Sequence, residues 1–322
     1  MNFIQYPILF NPILKDRIWG GTKLESVLGK DIHSSEVGES WEISGVPNDI
    51  SIVANGAYKS MELDKLIAAY PQEVLGNSII ERFGLHFPLL FKFLDAKEDL
   101  SIQLHPNDLL AQKRHNSCGK TEMWYVMQAD PGARVVVDFK EGVTQESYLE
   151  HLKKNTLPSI LKEIPVKKGD VFFIDAGTIH AIGKGVLLAE IQQTSDITYR
   201  VYDWGRVDAK GNSRELHVDL ALDAIDYNKK EVELQYSQEK NTINKIVECP
   251  FFSVNYIPLK GEFLKKKDSQ RFYIYVVTEG ECTMTIGSEK YQFQKGNTIL
   301  VPALIENIQL SGDATLLEIF VS

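Results

Sequence analysis

The chain of 322 residues is poor in cysteine, in long apolar runs and in positive charge. Its three cysteines, Cys118, Cys249 and Cys282, are scattered, odd in number and form no CxxC pair. That usage argues against a disulfide framework and fits a reducing compartment. No stretch approaches the roughly 18–20 consecutive apolar residues of a membrane span. The opening MNFIQYPILFNPILKDRIWGG is apolar in bias but has no basic segment followed by a cleavage site. A soluble cytoplasmic protein with no membrane partner is the expectation. The formal net charge is −9, whereas a polyanion-binding surface wants the opposite sign, so no nucleic-acid partner is expected either. A small anion remains compatible if a few local cations oppose the global field.

Helical patterning is also scarce. It is confined to MELDKLIAAYPQEVLG (61–76), where Pro71 limits the first piece, TQESYLEHLKKN (144–155) and LHVDLALDAIDY (216–227). What remains is 43% hydrophobic and 25% charged overall, enough for a large core, and it runs in short β-rich stretches bounded by Gly, Pro, Asn or Asp. These include ESWEISGV (39–46), SIVANGAY (51–58), PLLFKFLDA (88–96), TEMWYVMQA (121–129), ARVVVDF (133–139), GDVFFIDA (169–176), GVLLAEIQQT (185–194) and ITYRVYDWG (197–205). The pattern resumes in FFSVNYIPL (251–259), FYIYVVTEG (272–280), ECTMTIG (281–287), KYQFQKG (290–296), NTILVPA (297–303) and ATLLEIFVS (314–322). The polar, lysine-rich stretch 206–245 reads as a linker. A mainly β protein of two units is expected, 1–235 and 236–322, with a few short helices.

An internal echo supports two similar units. KKGDVFFIDAGTIHAI (167–182) and QKGNTILVPALIENIQ (294–309) share a frame. The first copy resembles the cupin pattern of Gly, five residues, Pro, one residue, Gly, two residues, His. It matches at Gly169, Gly177 and His180, with Asp175 in the proline place. The second keeps Gly296 and Pro302 but has Leu304 and Asn307 where Gly and His belong. The resemblance implies two cupin-like β-barrel, or jelly-roll, units, of which only the first keeps metal chemistry.

A metal site needs several donors converging from different strands. SIQLHPND (101–108) places Gln103 and His105 two apart, hence on one face of a strand. Glu122 opens the strand TEMWYVM, and His180 sits at the cupin position. Each alone reads as an ordinary structural residue; together they form a barrel donor set. His33, His86, His115, His151 and His217 fall in loops or on helical surfaces and read as structural. Lys92 lies between Phe91 and Phe93 in an apolar strand and shares a face with Leu90 and Leu94, which points its amine into a lined cavity.

The stretches PLLFKFLDAKEDLSIQLHPND, GKTEMWY, DAGTIHAI, AEIQQTSDITYRVYDWGR and RIWGG together resemble the zinc-dependent, cupin-type mannose-6-phosphate isomerase family, in its short bacterial form. The resemblance spans nearly the whole chain. It implies one Zn²⁺ per chain on Gln103, His105, Glu122 and His180. It further implies catalytic roles for Arg200, Lys120 and Glu190, and substrate contacts from Lys92, Ser101 and Asp196. A hexose 6-phosphate is the implied partner; a monomer or weak homodimer is the expectation. Longer relatives carry a His just before the lysine and a Pro after it. Here CGKTE puts Gly119 and Thr121 in those places, so an acid–base role for that His does not carry over. RIWGG and GESWEISG read as packing elements, with Trp19 beside a tight turn. Two rivals stand beside the isomerase: another cupin metalloenzyme such as an oxygenase, against which Gln103 in place of a His argues, and a non-catalytic sugar-phosphate-binding cupin.

Overall fold

The computed structural model describes residues 3–207, 211–228 and 231–321. Among these residues the N-terminal unit is built from two main antiparallel sheets, with a small two-stranded one pairing Phe10–Asn11 with Ile52–Val53. The larger runs, in spatial order, through Glu233–Leu234, Val171–Ile174, Glu122–Ala129, Val186–Gln193, Leu89–Ala96, Val37–Ser44 and Ile13–Gly21. The smaller runs through Tyr199–Tyr202, Ile102–Leu104, His180–Ile182, Arg134–Phe139 and Leu161–Pro165. Their inner faces meet over Trp19, Leu94, Leu100, Trp124, Val126, Val135, Val137 and Ile182. This is the face-to-face packing of two sheets across a shared apolar core. The expected barrels are thus facing sheets, and their strands do not close into a cylinder.

The C-terminal unit is a sheet of long, bent strands, Ser253–Lys266, Tyr273–Ile286 and Asn307–Phe320, with Asn244–Glu248, Glu289–Gln294 and Thr298–Val301 beside them. The sequence suggested two strands over 272–287. The chain instead passes straight through, because Gly280 at φ +69 and an irregularity between Val277 and Glu279 absorb the bend. The internal echo is structural. Gly169 and Gly296 both adopt positive φ, +90 and +87. Each donates its N–H back to an earlier strand, at the carbonyls of Val126 and Val277, over 2.9 Å.

One apolar core joins the two units. Leu63, Leu66, Phe91, Phe93, Phe252, Phe272, Ile274 and Leu317 belong to a single buried cluster, with the Phe87 and Phe272 rings 4.9 Å apart. Phe91 and Phe93 face this cluster, so the alternation of the strand turns Lys92 and Leu94 the other way, into the first unit.

Local signals decide the helices. The 61–76 pattern breaks at Pro71 into Leu63–Ala69 and Pro71–Val74. Gln145–Lys153 starts on a capping box between Thr144 and Ser147. The 216–227 pattern yields only Val218–Leu222. Of SIVANGAY only Ile52–Val53 is strand, and Gly56–Tyr58 is a 3₁₀ turn.

Candidate active site and metal centre

Strand register brings the chemistry together. His180 lies opposite Gln103, which on its other side faces Arg200. In the larger sheet Trp41, Lys92, Glu190 and Trp124 form a transverse row across four adjacent strands. The strand Ile102–Leu104 ends just before His105, whose carbonyl accepts from Gly177 N–H at 2.8 Å. Pro106 follows and its carbonyl accepts from the Lys120 N–H at 3.1 Å. The two backbone bonds fix the His105 segment against both the His180 turn and the Lys120–Glu122 segment.

His105, Glu122 and His180 are each fully buried, with ligand atoms within 4.8 Å of one another. Nε2 of His105 is 3.5 Å from Oε2 of Glu122, and Nε2 of His180 is 3.5 Å from Oε1. Each imidazole Nδ1 meets a backbone carbonyl, Ile197 for His105 at 2.8 Å and Thr178 for His180 at 2.9 Å. A carbonyl can only accept, so Nδ1 carries the proton and Nε2 presents a lone pair. Burial, followed by the Lys120 and His180 charges, holds the His105 pKa well below 6.5. Burial likewise brings His180 down to about 4. Both rings are therefore neutral near pH 7. Neither Nε2, and neither oxygen of Glu122, has a hydrogen-bond partner of good geometry, although the Lys120 amine stands 3.1 Å from Oε2. Two lone pairs and a carboxylate converge in a dry place, and each orphaned acceptor costs about 1–3 kcal/mol. The arrangement calls for a cation, and the donor chemistry suits one.

Beside this trio lies a cavity of about 550 Å³. Gln103, Lys92, Ser101, Lys120, Glu190, Asp196 and Arg200 all line it. Lys92, Ser101, Lys120 and Glu190 are buried, Gln103 and Arg200 half-buried, and Asp196 exposed at the edge. The Glu190 carboxylate is 3.1 Å from Lys92 Nζ and 3.9 Å from Lys120 Nζ, and accepts from Trp124 Nε1 at 3.1 Å. Burial opposes its ionisation, but the Lys120 and Lys92 charges outweigh that and lower its pKa. Burial also works against the charge on Lys120, and Glu122 and Glu190 more than compensate, raising its pKa. Ser101 Oγ donates to Gln103 Oε1 and accepts from Arg200 Nε, both at 3.3 Å.

Several residues that the sequence reading set aside share this cavity. Glu39 and Trp41, from GESWEISG, both line it. Trp41 Nε1 donates to Glu39 Oε2 at 2.6 Å, Arg17 Nε donates to Oε1 at 2.7 Å, and Lys92 Nζ lies 4.9 Å from the centre of the Trp41 ring. Burial raises the Glu39 pKa, yet Lys92 and Arg17 overcome it and bring the group to about 2. The signal available was a charged residue on the same strand face as a tryptophan, flanked by segments too apolar to be solvated. Trp19 is buried in the inter-sheet core and also reaches the cavity. Its strand approaches the next closely: a side chain on Gly38 would lie 2.6 Å from the Trp19 ring. Of the remaining histidines, His217 Nδ1 accepts from the Arg200 N–H at 3.2 Å and His115 pairs with Tyr199 OH at 2.8 Å.

Two facing sheets of the cupin kind, with a candidate metal site inside and a charged cavity beside it, define a cupin-type enzyme scaffold. Residues 8–141 match the family described as phosphomannose isomerase type I, catalytic domain, and residues 242–321 match the mannose-6-phosphate isomerase cupin domain. The chain is 37% identical over 309 residues to the mannose-6-phosphate isomerase of Streptococcus mutans, covering 95% of this chain and 96% of that one. It is 37% identical over 319 residues to the mannose-6-phosphate isomerase of Bacillus subtilis, with 96% of each covered. The crystal structure of a Bacillus subtilis mannose 6-phosphate isomerase superposes with a TM-score of 0.90 at 34% identity, covering 98% of this chain and 99% of that one. The chain belongs to the type I mannose-6-phosphate isomerase family.

Proposed function

We infer that the protein interconverts D-mannose 6-phosphate and D-fructose 6-phosphate, moving a proton between C1 and C2 through an enediol. The observation that carries this is the buried acceptor trio beside a cavity holding an ionised carboxylate between two lysines, in a chain similar to these isomerases over 95% of its length. A coupled assay for fructose 6-phosphate formed from mannose 6-phosphate tests it. No turnover by the metal-loaded protein sinks it.

We assign the metal as Zn²⁺, held by Gln103, His105, Glu122 and His180. When bound it supplies positive charge that polarises the substrate carbonyl and hydroxyl oxygens. Two neutral imidazoles, a neutral amide and one carboxylate leave such a site at a net charge of about +1. Gln103 is then the weak ligand that preserves this charge. Gln103→Glu is expected to keep or tighten metal binding, read by metal titration, while kcat falls roughly tenfold or more, as loss of one stabilising contact does. An unchanged kcat refutes the assignment.

Glu190 is the group placed to move the proton. It is a carboxylate, is held ionised, and faces the cavity. Lys120, flanked by Glu122 and Glu190, keeps its proton and is placed to donate to a substrate oxygen or to hold its developing charge. Lys92 fixes Glu190 from the other side and is itself fixed by Glu39 and Trp41. Arg200 donates to Ser101 and to the Glu215 carbonyl, and its planar fork suits the phosphate. Asp196 at the cavity edge is assigned to the sugar hydroxyls. All of these residues lie in residues 1–235, the catalytic unit in this reading, and 236–322 form a cupin-like unit without a metal site. We place the enzyme in the cytoplasm, as a monomer or weak homodimer.

A further inference from the structure

Six cationic side chains line the cavity: Lys15, Arg17, Lys92, Lys120, Arg200 and Arg214. Five of them face a carboxylate at close range, Lys15 with Asp49, Arg17 with Glu39, Lys92 with Glu190, Lys120 with Glu122 and Arg214 with Asp203. Arg200 has none among the described residues; its contacts are the Ser101 hydroxyl and the Glu215 carbonyl. Arg214 is gripped from the side by Asp203, with Nε 2.7 Å from Oδ2 and one amino group 2.5 Å from Oδ1. That grip leaves the other amino group without a partner among the described residues. The same Asp203 carboxylate also takes Arg206 at 2.5 Å.

Arg206 and Arg214 therefore share one carboxylate, Arg200 adds a third guanidinium with no carboxylate of its own, and two of the three, Arg200 and Arg214, line the cavity. Like charges held this close repel, and the repulsion is costly where burial limits solvation. Arg200 registers it: burial first, and then the Arg214 charge, hold its pKa below the usual arginine value. The surplus is local, since the chain as a whole carries −9. A phosphate monoester, with a charge of about −1.5 to −2 near pH 7, is of the sign and size to relieve it. Two planar forks can engage its oxygens together. A purely structural knot would not need Arg214 on the cavity wall. Arg206 serves that purpose, bonding the Asp203 and Asp99 carbonyls away from the cavity.

We propose that Arg214, set in place by Asp203, is a second phosphate-binding residue that closes with Arg200 on the substrate phosphate and selects phosphorylated over free hexoses. The identity of the sugar rests on the isomerase reading; the anion site does not. Calorimetric titration with inorganic phosphate, run beside steady-state kinetics, tests the two separately. In Arg214→Met the phosphate affinity is expected to fall roughly ten- to hundredfold, the loss typical of a charged hydrogen-bonding contact. KM for mannose 6-phosphate should rise in step, by more than any fall in kcat. Arg214→Lys should restore part of the affinity, and Asp203→Asn, which releases the side chain, should fall between. Thermal unfolding verifies that each variant is folded. If Arg214→Met does not fold, Arg214→Lys and Asp203→Asn decide, each expected to weaken phosphate at least threefold. Phosphate affinity within twofold of wild type in the folded variants overturns the proposal. A wild type that binds phosphate through Arg214 yet does not isomerise the sugar would leave the clamp standing and remove the isomerase reading.

Discussion

Glu190→Gln is expected to lower kcat by roughly a hundred- to ten-thousandfold, the contribution typical of a positioned acid–base group. The substitution keeps the shape and the Trp124 contact but removes the charge that lies 3.1 Å from Lys92 and 3.9 Å from Lys120. Because the change also disturbs those lysines, turnover alone does not single out proton transfer. Solvent-isotope exchange at C2 does, since it follows the carbon-bound proton itself. Glu190→Gln should abolish that exchange. Lys120→Met should slow turnover while some exchange at C2 survives, because the carboxylate that accepts the proton is still present. If both variants exchange at the wild-type rate, neither residue is the base.

Chelation is expected to remove isomerase activity completely and to lower the unfolding temperature. Zn²⁺ added back should restore both. The second readout follows from the structure of the trio. Without a cation, Nε2 of His105, Nε2 of His180 and the Glu122 carboxylate stay buried and without good donors. A ligand that binds only the folded state at about a hundred times its Kd adds about 2.7 kcal/mol. For a chain of this size that is a shift of several degrees. His180→Ala should lose the activity and the metal-dependent part of the thermal shift together. Full activity in exhaustively chelated protein, with metal content verified, would contradict the assignment of the trio.

Much of this site was legible because it obeys strand alternation. Gln103 and His105 had to share a direction, and Lys92, wedged between two phenylalanines, had to point away from them. What was missed was missed for physical reasons. Glu39 sits in Val37–Ser44, where every residue is buried. Alternation normally sends charge to solvent, but here the second face meets a cavity, so a stretch read only as packing also presents a charged group to the site. RIWGG was read as a packing element with Trp19 beside a tight turn, because two glycines follow it. The structure uses those glycines for close strand approach instead. Arg214 lay in a stretch whose polar composition marked it as linker. Its role depends on Asp203 and Arg200, and no local pattern encodes that meeting.

The core shared by the two units has a genetic consequence. Phe252, Phe272 and Leu317 carry no chemistry, yet they pack in the same cluster as Phe91 and Phe93, whose strand holds Lys92 in the cavity. Alleles that truncate these side chains lower enzyme output by shrinking the folded population in the cell. A map of inactivating alleles would thus extend well into a segment that supplies none of the residues lining the cavity.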